Sequence, residues 1–187
     1  MSVPASQPPP DPAVAAAGAP DAVVDEDLFR RTVGHFASGV TVVTTRVGQL
    51  DHAMTASAFT SVSLDPLLVL VCVDTEARFR DAVLEAGFWG VSVLAAADRP
   101  AADWFATKGR PLVGQLDSFP HHTGSTGAPL LDAAIAWLEC RTEAVYGGGD
   151  HDIVLGRVVR AAGFSSASRT AWTASRVGYE STTYSGR

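Results

Sequence analysis

Between Met54 and Asp74 the chain sets a cluster of hydroxyls beside an unbroken apolar run. Thr55, Ser57, Thr60, Ser61 and Ser63 fall in residues 55–63, and the apolar residues 67–73 follow the turn pair Asp65-Pro66. So short a run, rich in Val and Leu, reads as a strand buried on both faces. Hydroxyls and free backbone N–H groups next to such a strand suit an anionic group such as a phosphate, since converging donors stabilise negative charge. A polar-faced strand followed by a turn is the plainer reading of the same residues. His151, in G-G-G-D-H-D (residues 147–152), is a second candidate. Mobile glycines at 147, 148 and 149 and the flanking Asp150 and Asp152 make it accessible and titratable. The alternative is a histidine that holds a turn through its ring nitrogens. His121 and His122 are adjacent, so on a strand their side chains diverge and cannot share one metal. Cys72 and Cys140 show no paired spacing and read as buried free thiols. No metal site is expected.

The elements that must hold these residues follow from periodicity. Residues 25–37 read as a helix, with Asp25 and Asp27 at its N-terminus and Phe29, Val33 and Phe36 recurring at i, i+4, i+7, ended by Ser38-Gly39. Residues 40–46 form a strand of β-branched residues, 47–51 a turn and 52–63 the next strand. Residues 76–86 read as a short helix with Phe79 and Val83 on one face, closed by Gly87, and 88–94 as a strand. Residues 98–107 form a helix with Asp98 as N-cap and Pro100 in its first turn. Residues 108–128 read as a long loop, a length that is often functional. Residues 136–145, 152–161 and 171–179 are further strands. Many short strands with few helices point to a closed or nearly closed β-barrel.

Composition narrows the function classes. The 187 residues suffice for one domain with a real core. The 14 basic and 20 acidic residues give a net charge of −6, with no Lys/Arg cluster, so nucleic acid is not an expected partner. The longest apolar run is too short to span a bilayer. No Lys or Arg precedes Arg30, so the N-terminus lacks the charged region of a signal peptide, and a cytoplasmic location is expected. Residues 1–24 hold six of the eleven prolines and no aromatic residue, and read as a disordered tail or an arm that wraps a partner subunit.

Six segments follow one another in order: F-x-S-G-V-T-V-V-T-T (36–45), the 54–74 stretch, G-F-W-G-V-S-V-L (87–94), G-A-P-L-L (127–131), W-L-E-C (137–140) and G-D-H-D-I-V-L-G-R-V (149–158). In this order and spacing the chain resembles the short-chain flavin reductases, the NAD(P)H:flavin oxidoreductases that serve two-component flavin-dependent monooxygenases. The resemblance covers residues 27–160, with a degraded continuation to about 179. It implies a mainly β chain, with residues 25–187 forming a split β-barrel that binds flavin at a homodimer interface. FMN or FAD would be the flavin, NADH or NADPH the hydride donor, and a monooxygenase the partner.

Such a reaction needs little acid–base machinery, because hydride passes directly from the nicotinamide C4 to the flavin N5 and the protein aligns the two rings. The resemblance carries flavin contacts onto Asp51, His52, Ala53, Met54 and Thr55, then Ser57 and Ala58, and then Cys72, Val73 and Asp74. Arg78 and Phe79 match a start-of-helix position near the phosphate. Trp104 and Phe105 match the end of the third helix, where members often carry a basic residue followed by Phe. Trp104 replaces that base, which leaves Arg78 as the best candidate for pairing the phosphate. His151 is implied as the catalytic residue, close to the nicotinamide or the flavin. The chain departs from the family over residues 170–179: the usual Pro-Leu pair is gone, Ser175 stands where a Gly is usual, and Trp172 remains as a ring for stacking. Two other readings stand beside the reductase: a flavin-binding barrel that has lost NAD(P)H use, and a cofactor-free binding module.

Overall fold

Runs of β-branched residues broken by short turns produce a strand-dominated chain. In order, the elements are α1 (Glu26–Val33), β1 (Ser38–Gly39), β2 (Thr41–Val47), β3 (Leu50–Ala56), β4 (Phe59–Leu64), β5 (Leu67–Asp74), α2 (Arg78–Ala86), β6 (Phe88–Val93), a 3-10 turn at Ala96–Asp98, α3 (Arg99–Ala106), β7 (His121–Thr123), β8 (Pro129–Leu131), β9 (Ala136–Gly147), β10 (His151–Gly163) and β11 (Thr173–Ala174). The computed structural model describes residues 24–163 and 173–174. Residues 1–23 of the expected tail, Trp172 and most of the strand expected over 171–179 lie outside the described residues.

Seven strands form one antiparallel sheet in the order β3-β2-β6-β9-β10-β5-β4. β3 and β4 stand at opposite edges, yet only Ser57 and Ala58 join them. So short a link forces the sheet to curl until its edges meet, which makes a barrel with a seam between β3 and β4. The link itself extends the β4–β5 ladder, since the Cys72 N–H donates to the Ala58 carbonyl at 3.0 Å. This is the expected split barrel, and the single strand expected over 52–63 is in fact two.

The strand buried on both faces is β2, not β5. Val43 packs inside the barrel with Val71, Val73, Trp89 and Val154. Val42 packs outside it with Ala53, Leu94, Phe105 and Leu116. Three threonines tolerate this burial because each hydroxyl reaches a carbonyl: Thr41 donates to Ala56 at 2.8 Å, Thr45 to Phe88 at 2.7 Å, and Thr44 to Pro129. β5 instead alternates. Val69, Val71 and Val73 are buried, while Leu68, Leu70 and Cys72 on the outer face are only half-covered. Cys72 is therefore less buried than its run of neighbours implies. Cys140 is fully buried, and burial, with the Glu139 charge, pushes its thiol up to about 12.

Other boundaries also move. α1 starts where expected, with the Asp25 carboxylate accepting from the Leu28 N–H at 2.7 Å, but it stops at Val33. Ser38-Gly39 is a strand paired with Thr173–Ala174, and Phe29, Val33 and Phe36 are exposed. At the third helix Asp98 turns its carboxylate back onto the Ala95 N–H at 3.0 Å instead of capping forward. The long loop contains a two-stranded hairpin, so His121 and His122 lie on a strand, paired with Leu131 and Leu130. Among the described residues no helix is long and apolar enough to cross a membrane.

Candidate functional site

A cavity of about 490 Å³ opens where β3, the start of α2, the end of α3 and the 107–112 segment converge. The helices stand where they do for local reasons. Gly87 closes α2 in the left-handed conformation (φ 69°), which glycine adopts without a Cβ clash. Pro100 in the first turn of α3 needs no N–H. α3 lies on β3 through Ala101, Ala102 and Phe105, and Thr55 locks the contact by donating to the Ala102 carbonyl at 2.7 Å.

His52, Ala53, Met54 and Thr55 from β3, Asp74 from the end of β5, Arg78 and Phe79 from α2, and Phe105 from α3 all line this cavity. They are eight of the residues expected to bind cofactor. Asp51 lies next to it: its carboxylate accepts from Arg46 Nε at 2.5 Å and Nη2 at 3.1 Å. Ser57 and Ala58 are exposed at the seam, and Val73 is fully buried in the barrel core. Trp104 does not line the cavity, and its indole N–H donates to the Gln115 carbonyl at 2.9 Å. The hydroxyl cluster does not act as one cradle. Thr55 is engaged by Ala102, Thr60 and Ser61 lie on β4 at the other sheet edge, and Ser63 accepts from the Asp65 N–H at 3.2 Å.

His151 begins β10 directly opposite Asp74, one strand beyond the cavity rim. Its Nδ1 lies 2.8 Å from the Asp150 carboxylate. An ionised carboxylate only accepts, so Nδ1 carries the proton and Nε2 is left for another partner. The ring in turn holds the Asp150 carboxyl below its usual range. Around the glycine turn, the Gly148 N–H donates to the His151 carbonyl at 2.7 Å, and Thr75 donates to the Asp150 carbonyl from its N–H at 3.0 Å and its hydroxyl at 3.1 Å. Arg80 ties α2 to the same place through Asp152 at 2.8 Å.

Lys108, Arg110 and Gln115 also line the cavity and were not singled out in the sequence. The signal was there in T-K-G-R (residues 107–110), which puts two cations around a glycine directly after α3. Arg110 donates to the carbonyls of Ala53 and of Thr107, the latter at 2.9 Å, and its cation lies 5.7 Å over the Phe105 ring. Arg78 Nη2 donates to the Arg110 carbonyl at 2.7 Å. Burial, and then the Arg78 charge, hold the Arg110 pKa down. Burial and Arg78 likewise lower that of His52. Arg78, Lys108 and Arg110 put three cations on a lining that also carries the carboxylates of Asp74 and Glu76, with Ala53, Met54, Phe79, Phe105 and Leu112 as apolar wall, an arrangement suited to a flat ring that carries a phosphate. The residues present therefore fit a flavin nucleotide. Among the described residues no group of three His, Cys, Asp or Glu could hold a metal ion.

A split barrel with a cation-rimmed cavity beside its seam defines a flavin-nucleotide-binding class, and the sequence comparison agrees. The family described as the flavin reductase like domain matches residues 33–182, and the chain belongs to it. It is 45% identical over 139 residues to an NADH-dependent FAD reductase of Streptomyces globisporus, covering 73% of this chain and 76% of that one. It is 38% identical over 133 residues to the reductase component of 4-hydroxyphenylacetate 3-monooxygenase from Thermus thermophilus, covering 71% and 82%. Among solved structures, BorF, the flavin reductase component of a bacterial two-component tryptophan halogenase, superposes with a TM-score of 0.78 at 42% identity, over 84% of this chain and 98% of that one. The Streptomyces globisporus NADH:FAD oxidoreductase SgcE6, in complex with NAD and FAD fragments, superposes with a TM-score of 0.77 at 39% identity, over 83% and 92%.

Proposed function

We propose that this chain is an NADH-dependent flavin reductase that holds FMN or FAD in the β3 cavity and supplies reduced flavin to a monooxygenase or related partner enzyme. The observation that carries this reading is the Arg78–Arg110 cation pair facing the β3 lining, in a chain of this family. A flavin held by these residues would supply the redox chemistry, as the acceptor of a hydride from reduced nicotinamide. The chain's own groups bind and orient. Arg78 and Arg110 meet the phosphate charge, while Met54, Phe79 and Phe105 supply apolar wall and exclude water. His151, with Nε2 unclaimed by Asp150, is proposed to position the nicotinamide beyond the cavity rim. The two alternatives draw no support from the two Streptomyces globisporus proteins named above, an NADH-dependent FAD reductase and an NADH:FAD oxidoreductase.

A homodimer belongs to the same reading. Leu70 faces Leu155 and Cys72 faces Ile153 across β5 and β10, all half-covered on the outer face, and α1 buries none of its residues. A second copy of the chain is the simplest cover for such surfaces. Two free thiols and no disulfide suit a reducing cytoplasm. The test of the reductase is stopped-flow reduction of protein-bound FMN and FAD by NADH and by NADPH. Rapid reduction by NADH is expected. No acceleration by either nucleotide over free flavin would overturn the assignment.

A further inference from the structure

Gln115 is 4% exposed and lies outside every helix and strand, yet it ties the cavity wall together. Its Nε2 donates to the Asp51 carbonyl and, at 3.4 Å, to that of Leu112. Its Oε1 accepts from Arg110 Nε at 3.1 Å. The Arg110 guanidinium is thus held by three oxygens, on Ala53, Thr107 and Gln115, and all three are neutral. Several other described arginines meet carboxylates, among them Arg46 with Asp51, Arg80 with Asp152 and Arg157 with Glu143. Among the described residues Arg78 and Arg110 have no such partner, although they are neighbours and repel one another. Two adjacent guanidiniums held only by neutral acceptors keep their full charge for an anion that comes from outside.

We infer that Gln115 is a positioning residue which, through Arg110, keeps a two-guanidinium site aimed and uncompensated, so that the cavity selects phosphorylated flavins over riboflavin. The inference rests on the flavin reading above. An amide at position 115 is essential to it. A glutamate would accept from Arg110 equally well, but it would neutralise the charge and lose the donor to Asp51.

The test is a double-mutant cycle read by fluorescence titration with FMN and with riboflavin. The wild type should bind FMN more tightly than riboflavin. Gln115→Glu and Arg110→Ala should each weaken FMN about ten-fold or more while moving riboflavin less than about two-fold. Gln115→Met, added to Arg110→Ala, should then weaken FMN less than about two-fold further, because it brings no charge of its own and acts only through Arg110. Alone, the same Gln115→Met, which keeps the volume and removes both amide functions, completes the cycle and provides the single-variant comparison if the carboxylate disturbs folding. Equal weakening of both ligands, no weakening of FMN, or additive effects in the cycle would overturn the role of Gln115 while leaving flavin binding intact. A wild type that binds neither ligand would overturn the flavin reading together with it.

Discussion

Glu139 offers a sharp test of the electrostatics that hold this barrel. It lies in β9 at 1% exposure, and its carboxylate fastens the 124–127 turn. One oxygen accepts from the Thr126 N–H at 2.6 Å and the Thr126 hydroxyl at 2.8 Å, and the Ser125 hydroxyl lies 3.2 Å from both oxygens. Arg160 Nε stands 3.8 Å away. Burial alone pushes this carboxyl up, but the Thr126 and Ser125 donors together outweigh it and hold the pKa below 4.5. Glu139→Gln keeps the shape and one acceptor oxygen for Thr126, and removes the charge. A hydrogen bond to a charged group contributes about 1.5–3 kcal/mol and a neutral one about 0.5–1.5. Two close bonds weakened in this way, less the desolvation a carboxylate suffers, leave a loss of about 2 kcal/mol. For a chain of this size that lowers Tm by about 4–8 °C. The sign with pH follows from the depressed folded pKa. The carboxylate's contribution is complete above the unfolded value near 4.5 and is lost as the pH falls through the folded value. The variant has no such group, so the gap between the two melting curves should be full at pH 7 and close as the pH drops below 4.5. Calorimetry or circular dichroism across that range reads it. Equal melting at pH 7, or a gap that stays constant into acid, would refute the reasoning.

Other outcomes follow from the same geometry. Arg78→Ala should weaken FMN binding about ten-fold or more, since a charge-assisted contact is lost, and an unchanged Kd by calorimetry would remove Arg78 from the site. His151→Ala should lower the rate of flavin reduction by NADH while leaving flavin affinity within about two-fold, because the ring is held by Asp150 outside the cavity lining. An equal loss of both in stopped-flow and titration would place His151 among the flavin contacts instead. Gly156→Ala should destabilise the fold by about 1–3 kcal/mol in urea, because the new Cβ would lie 2.4 Å from the ring of the fully buried Trp89. Light scattering at micromolar concentration with flavin present should give twice the 19.5 kDa chain mass, and a monomer would refute the dimer.

Residue type and spacing by themselves determined what depends on near neighbours. The β-branched runs became strands, Gly87 ended α2, Asp25 capped α1, and the ordered segments from Phe36 to Val158 named the family that the comparison then found. Met54 and Thr55 were legible because they sit on one of those segments, and His52, Ala53 and Arg78 because they lie within a few residues of its ends. Tertiary structure decided the rest, for two physical reasons. Strand order cannot be read from period: the link at Ser57 and Ala58 looks like the middle of one strand until its two halves pair with β2 and β5 at opposite sheet edges. The same pairing exposes one face of β5 and buries both faces of β2, which reverses the ranking that hydrophobicity alone suggests. The charge of a site, in turn, depends on who neutralises whom. Arg110 and Gln115 are ordinary loop residues in the sequence. They become a cation and its positioner only because the loop folds back onto Asp51 and Ala53, more than fifty residues earlier, and offers the guanidinium no carboxylate.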